Sequence, residues 1–249
     1  MVFQVLSGLV VISLLIALYG FERRFLIEVP AYGGSLTEGV VGAPRFVNPL
    51  LAISDTDRDL VALTYAGLMG HDTTGALVPV LAEGYQVSED GKTYTFTLRA
   101  NATFSDGHAL TADDVVYTVE KAQDPALRSP VLANWANIRA EALDARTVQF
   151  TLPKAYAPFL EDTTLGILPA HIWKDVSDAE FPFSPKTVHP AGAGPFEVSR
   201  VTRNGEGTIT SYELVAFKGY APGRPYLNRV RFVFFEDQEK LAAALRSGS

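Results

Sequence analysis

Asp113 and Asp114, with Glu120 further along the same stretch, could act as paired carboxylates, the arrangement that acid–base chemistry needs. Neighbouring residues on a helix point about 100° apart, however, so these two do not share a pocket. Thr111 stands just before them and can cap a helix whose first turn then carries the two acids, where they complement the helix dipole. The four histidines, His71, His108, His171 and His189, are scattered singly, and none has a partner at a helical ligand spacing such as HExxH. No metal centre is therefore expected. Gly192-Ala193-Gly194-Pro195 is glycine-rich but lacks the lysine and following hydroxyl of a phosphate loop. There is no GxSxG, no cysteine and no grouped Ser/His/Asp, so no catalytic residue and no cofactor are predicted.

The elements that would position these residues are clearest over Leu81–Glu120. Glu89-Asp90-Gly91-Lys92 has turn chemistry. Tyr94, Phe96 and Leu98 then alternate with Thr93, Thr95, Thr97 and Arg99, the period of a half-buried strand. Ser105-Asp106-Gly107 makes a second turn, and Val115, Val116 and Val119 give the following helix its apolar face. Upstream, the pattern of Leu60, Leu63, Tyr65 and Leu68 predicts a helix over Asp55–Leu68, capped by Ser54 or Asp55 and ending near Gly70. Downstream, strands are expected at Ile138–Ala142, Thr147–Leu152, Tyr212–Phe217 and Val230–Phe235, and helices from Pro158 and from Glu239.

The chain has 249 residues, an apolar fraction of 47% and a net charge of −7. That is enough for a real core, and the acidic balance argues against a nucleic-acid partner. Without cysteine there is no disulfide, thiol nucleophile or lipidation site. Val2–Phe21 is apolar apart from Gln4, Ser7, Ser13 and two glycines, and about 20 such residues can cross a bilayer as a helix. A cleaved signal peptide is the competing reading, but no small-x-small cleavage site follows. Arg23 and Arg24 lie after this run, which by the positive-inside rule alone would keep the remainder cytoplasmic.

One stretch of about forty residues resembles the family 5 extracellular solute-binding proteins, the peptide- and nickel-type receptors of ABC importers. The matching residues are Ala82-Glu83, Asp90-Gly91, Tyr94-Thr95-Phe96, Leu98-Arg99, Phe104, Asp106-Gly107 and Leu110-Thr111-Ala112-Asp113-Asp114-Val115. Tyr85 stands where the family usually has tryptophan. Gly192–Val198 is similar to the family's GTGPY passage, with Ala193 and Phe196 as departures, and Asn48-Pro49-Leu50 and Leu168-Pro169-Ala170-His171 also have family counterparts.

The resemblance implies an α/β, periplasmic-binding-protein-like (type II) fold with mixed sheets, to which the apolar run adds one N-terminal transmembrane helix. The expected division is an anchor at 1–27, first-lobe segments at 28–50 and 185–249, and a small insert lobe at 51–184. Family members run to about twice this length, so the chain is expected to be truncated, with the second ligand lobe missing. The implied function is extracytoplasmic capture of an oligopeptide or similar small solute for ABC permease subunits, with the membrane contacted through the N-terminal helix. A membrane-tethered hydrolase, and a sensor or chaperone with the same fold, are the alternatives. Candidate ligand-binding residues, chosen among aromatic and polar groups outside the matching stretch, are Tyr65, Asn134, Trp135, Thr163 and Thr164. His171 is the histidine expected beside the cleft.

Overall fold

The computed structural model describes residues 31–247 and scattered positions between 4 and 19. The chain divides into two units, Met1–Tyr32 and Gly33–Ser249. In the first, the described positions from Gln4 to Tyr19 are helical, and half of the expected anchor at Val2–Phe21 lies outside the described residues. Among the described residues, no helix is long and apolar enough to cross a membrane.

The second unit begins with β1 (Ser35–Val41), α1 (Asp55–Thr64), β2 (Met69–His71), β3 (Leu77–Pro79), β4 (Ala82–Val87) and β5 (Thr93–Leu98). It continues with α2 (Ala112–Ala122), α3 (Leu132–Trp135), β6 (Arg139–Asp144), β7 (Thr147–Thr151), α4 (Phe159–Asp162) and α5 (Ala170–Trp173). It ends with β8 (Phe196–Arg203), β9 (Ile209–Ala216), β10 (Arg229–Phe235) and α6 (Gln238–Ser247). One sheet has the order β1-β10-β9-β8, with β1 parallel to β10 and the other pairs antiparallel, which makes it mixed. A second, antiparallel sheet has the order β4-β5-β7-β6, and β2 and β3 pair as a ribbon.

Local chemistry explains the second sheet. Asp90 accepts from the Lys92 amide at 3.1 Å, the Ser88 hydroxyl accepts from the Thr93 amide at 2.9 Å, and Gly91 takes φ +68°, a region glycine enters without steric cost. With the turn fixed, β5 buries Tyr94, Phe96 and Leu98, in the phase the alternation predicts. α2 begins at Thr111, whose amide donates to the Asp114 carboxylate at 2.9 Å. The helix buries Val115 and Val119 and leaves Val116 half-buried. Asp114 also accepts from the Ala170 amide at 2.8 Å, and the Thr118 hydroxyl accepts from the Leu168 amide at 2.9 Å. These two bonds hold the passage leading into α5 against α2. Asp114 is thus a buried anchor and Asp113 is exposed, so the pair does not form an acid–base site.

α1 is capped as expected: the Ser54 hydroxyl accepts from the Asp57 amide at 3.1 Å. The buried Asp57 carboxylate also accepts from the amides of Arg45 and Phe46, at 2.7 and 2.9 Å, and so ties the incoming loop to the helix. The helix ends at Thr64, short of the predicted Leu68. Tyr65 turns extended, with φ −117° and ψ 162°.

The interior holds two apolar clusters. Leu60 of α1 packs with Val47, Tyr212, Leu214, Val230, Phe232 and Phe234 against the mixed sheet. The larger cluster gathers Phe96, Phe104, Phe150, Phe159, Trp135, Trp173 and Phe181 around the antiparallel sheet.

Candidate functional site

Between these two cores runs the extended segment after α1. The Gly194 amide donates to the Thr64 carbonyl at 3.0 Å on one side of it. The Ile167 amide donates to the Ala66 carbonyl at 2.9 Å, and the Met69 amide to the Thr163 carbonyl at 3.2 Å, on the other. Backbone amides and carbonyls that would otherwise continue α1 are taken up by these cross-links. That is the physical reason the helix stops early: the apolar spacing of Leu63, Tyr65 and Leu68 continues, but tertiary hydrogen bonds outcompete it.

This segment forms the floor of a cleft of about 490 Å³. Its walls include Val61, Tyr65, Met69, Thr164, Pro195 and Tyr220, contributed by four separate stretches of chain. The volume falls in the range of about 300–1,000 Å³ typical of small-molecule sites, and the lining mixes apolar side chains with a few polar groups. His71, also on the wall, lies 3.0 Å from the Glu161 carboxylate through Nε2, a partly exposed pair. The half-buried Tyr220 phenol is held above its ordinary pKa by desolvation, against a smaller pull from Arg99, so it stays a neutral hydroxyl at physiological pH.

The five candidate residues separate. Tyr65 and Thr164 meet in this cleft. Tyr65 gives it an apolar wall, and its buried hydroxyl has no hydrogen-bond partner among the described residues. Desolvation, with a contribution from Tyr212, drives its pKa far up. The Thr164 hydroxyl donates to the Glu161 carbonyl at 2.7 Å, leaving its oxygen able to accept from a ligand. Asn134 lies in a different depression, of about 240 Å³, where its amide donates to Asp162 at 2.7 Å. Burial holds the Asp162 carboxyl above its usual range, against the opposing Asn134 bond.

Thr163 and Trp135 line neither of these two depressions. The Thr163 hydroxyl donates to the Leu160 carbonyl at 2.6 Å within the core. Trp135 is 2% exposed and sits 5.7 Å from Phe159 and 5.9 Å from Phe150, ring centre to ring centre. Its stretch lacks periodicity because it is a single helical turn, yet its indole is still drawn into the aromatic core. His171 is not on the cleft wall. It faces Asp106, with Nε2 2.7 Å from the carboxylate. Partial burial opposes ionisation of Asp106, but bonds from His171 and from the His108 amide outweigh it and hold its carboxyl below the usual range. Met69, His71 and Tyr220 were missed, since nothing local marks them and only the fold brings them together.

A mixed sheet and an antiparallel sheet joined by a cleft-forming segment define an α/β class of protein with a cleft at the junction of its two cores. The sequence profile of the bacterial extracellular solute-binding proteins, family 5 (Middle), matches residues 76–249. The chain belongs to that family. Protein XP55 of Streptomyces lividans is 31% identical over 221 residues, a match covering 86% of this chain and 38% of that protein. The glutathione-binding protein GsiB of Escherichia coli O6:K15:H31 is 33% identical over 201 residues, covering 78% of this chain and 37% of the relative. Among solved structures, the oligopeptide-binding protein AppA of Bacillus subtilis in complex with a nonapeptide superposes with a TM-score of 0.79 at 27% identity. That match covers 88% of this chain and 44% of AppA. The chain therefore spans less than half the length of these relatives.

Proposed function

We propose that the chain supplies part of the extracytoplasmic substrate-binding component of an ABC importer and that its solute is an oligopeptide or a similarly sized molecule. The observation that carries this reading is the 490 Å³ cleft with Tyr65 and Thr164 on its wall, in a chain of family 5. The nonapeptide bound by AppA supports a peptide over other solutes, and the name of GsiB keeps glutathione, itself a short peptide, in the same chemical class. Capture would proceed by hinge closure over the ligand, with delivery to permease subunits and no covalent step. The absence of a nucleophile motif in the sequence and the binding-protein names of the relatives both count against a hydrolase.

The division into lobes fits this reading. The mixed sheet takes its strands from 28–50 and 185–249, and the antiparallel sheet lies wholly within 51–184. Leu60 packs with the mixed sheet's core, so the proposed boundary moves from residue 51 to the extended segment after Thr64.

Filling the cleft tests the function. Thr164→Trp is expected to weaken calorimetric binding of an oligopeptide pool at least tenfold, equivalent to about 1.4 kcal/mol, with little change in melting temperature. Undiminished affinity in that variant would place the ligand elsewhere.

We further propose that the apolar run Val2–Phe21 holds the protein in the cell membrane with its globular part outside, since it is long enough to span and lacks a cleavage site. Membrane fractionation with N-terminal sequencing is expected to find the intact chain in the membrane pellet. A soluble mature form beginning near Val29 would refute the anchor.

A further inference from the structure

We propose that Asp106, His108 and His171 form a binding site for a borderline divalent transition cation of the Zn²⁺ and Ni²⁺ class. Asp106 and His108 stand on the tight turn after Phe104, and His171 stands on α5. Sixty-five residues of sequence separate Asp106 from His171, so no local spacing betrays the set.

The geometry is convergent. His171 Nε2 lies 2.7 Å from Asp106 Oδ2, and His108 Nδ1 lies 3.2 Å from Asp106 Oδ1. One donor atom from each residue falls within 4.8 Å of the other two. A cation held at the usual Zn–N and Zn–O distances of about 2.0–2.2 Å spaces its donors by about 3.3 Å in a tetrahedron. The donor separations therefore need to change by at most about 1.5 Å.

His108 has that freedom. Its side chain is 62% exposed, and its ring lies over the His171 ring at 4.0 Å with a 27° tilt. An exposed imidazole can change rotamer at little cost, which lets Nδ1 adjust its position relative to the other two donors.

The turn itself is rigid. The Phe104 amide donates to the His108 carbonyl at 2.9 Å, and the His108 amide donates to Asp106 at 3.1 Å. α5 is anchored through Ala170 to Asp114, as described above. Two fixed elements thus present the donors, and the mobile imidazole closes the set.

The donor chemistry selects the cation. Two imidazoles and one carboxylate suit Zn²⁺, Ni²⁺ and Cu²⁺, whereas Mg²⁺ and Ca²⁺ take mainly oxygen ligands. Three protein donors leave at least one position for water or a solute group. Since Ser105 donates its amide to the Gly192 carbonyl at 2.9 Å, a bound cation would also stiffen the loop that braces the cleft-forming segment. A cation that binds the folded state alone stabilises it in proportion to RT ln(1 + [L]/Kd).

Zn²⁺ and Ni²⁺ titrated into the 249-residue chain test this, by calorimetry and by melting temperature. One saturable equivalent is expected, together with a concentration-dependent rise in melting temperature. His108→Ala and His171→Ala are each expected to weaken binding at least tenfold, and His189→Ala to leave it unchanged. Because His108 is exposed, His108→Ala keeps its fold even if His171→Ala does not. Binding that survives His108→Ala, or no saturable binding of either cation, overturns the site.

Discussion

Replacing Phe96 by alanine is expected to destabilise the folded chain by about 3–5 kcal/mol, the range for a large aromatic truncated in a core. Phe96 is fully buried at the middle of β5. Its ring centre is 5.7 Å from Phe150, edge to face, and 5.4 Å from Tyr85. Phe150 in turn meets Phe159 at 5.4 Å. Truncation would open a cavity that rings on β4, β7 and α4 cannot all close around, so the cavity cost adds to the lost transfer energy. The neighbouring Thr95 faces the other way, half-buried, and accepts a hydrogen bond from Gln149 at 3.2 Å. Its alanine variant should lose under about 1 kcal/mol, the net worth of one such bond. Chemical denaturation of the two variants compares them directly through the midpoint at constant m-value. Equal losses would mean that the strand has the opposite phase.

That contrast also marks how far the sequence could be read. The turn, strand and capped helix of Leu81–Glu120 were legible because each is fixed by neighbours within a few residues: Ser88 and Asp90 at the turn, alternation in β5, Thr111 and Asp114 at the cap. Two strands of the mixed sheet, β9 and β10, were legible from their local pattern as well. The end of α1 was not, because it is set by bonds from Gly194 and Ile167, more than a hundred residues away. Trp135 was misplaced for an equivalent reason. A tryptophan in an aperiodic stretch gives no sign of its side, and only Phe150 and Phe159 determine that it turns inward. Thr163 and Thr164 are adjacent and chemically identical, yet one is core and the other lines the cleft, a distinction made by the single turn of α4 before them. The histidines looked solitary because Asp106 and His171 meet only once α2 has positioned the passage into α5.

The junction at Gly192 should be the backbone position least tolerant of a side chain. A Cβ built there would lie 1.9 Å from the Thr64 carbonyl oxygen and 2.8 Å from its carbon. Both atoms are backbone, so no rotamer change can relieve the clash. The Thr64 carbonyl already accepts from the Gly194 amide, and the Gly192 carbonyl accepts from Ser105, so moving either strand breaks a bond that ends α1 or braces the turn. Overpacking of this kind typically costs about 1–3 kcal/mol and more where backbone must move, so Gly192→Ala is expected at or above the top of that range. Gly205→Ala is the control. No atom lies within 4 Å of its Cβ position and its φ is outside the left-handed region, so it should be neutral or stabilise by up to about 1 kcal/mol through the unfolded state. Because the Gly192 Cβ would also press on the Tyr65 ring at 3.1 Å, the damaged variant should lose oligopeptide binding together with stability. If denaturation finds Gly192→Ala as stable as Gly205→Ala, the close approach that ends α1 and floors the cleft is not present in the folded chain.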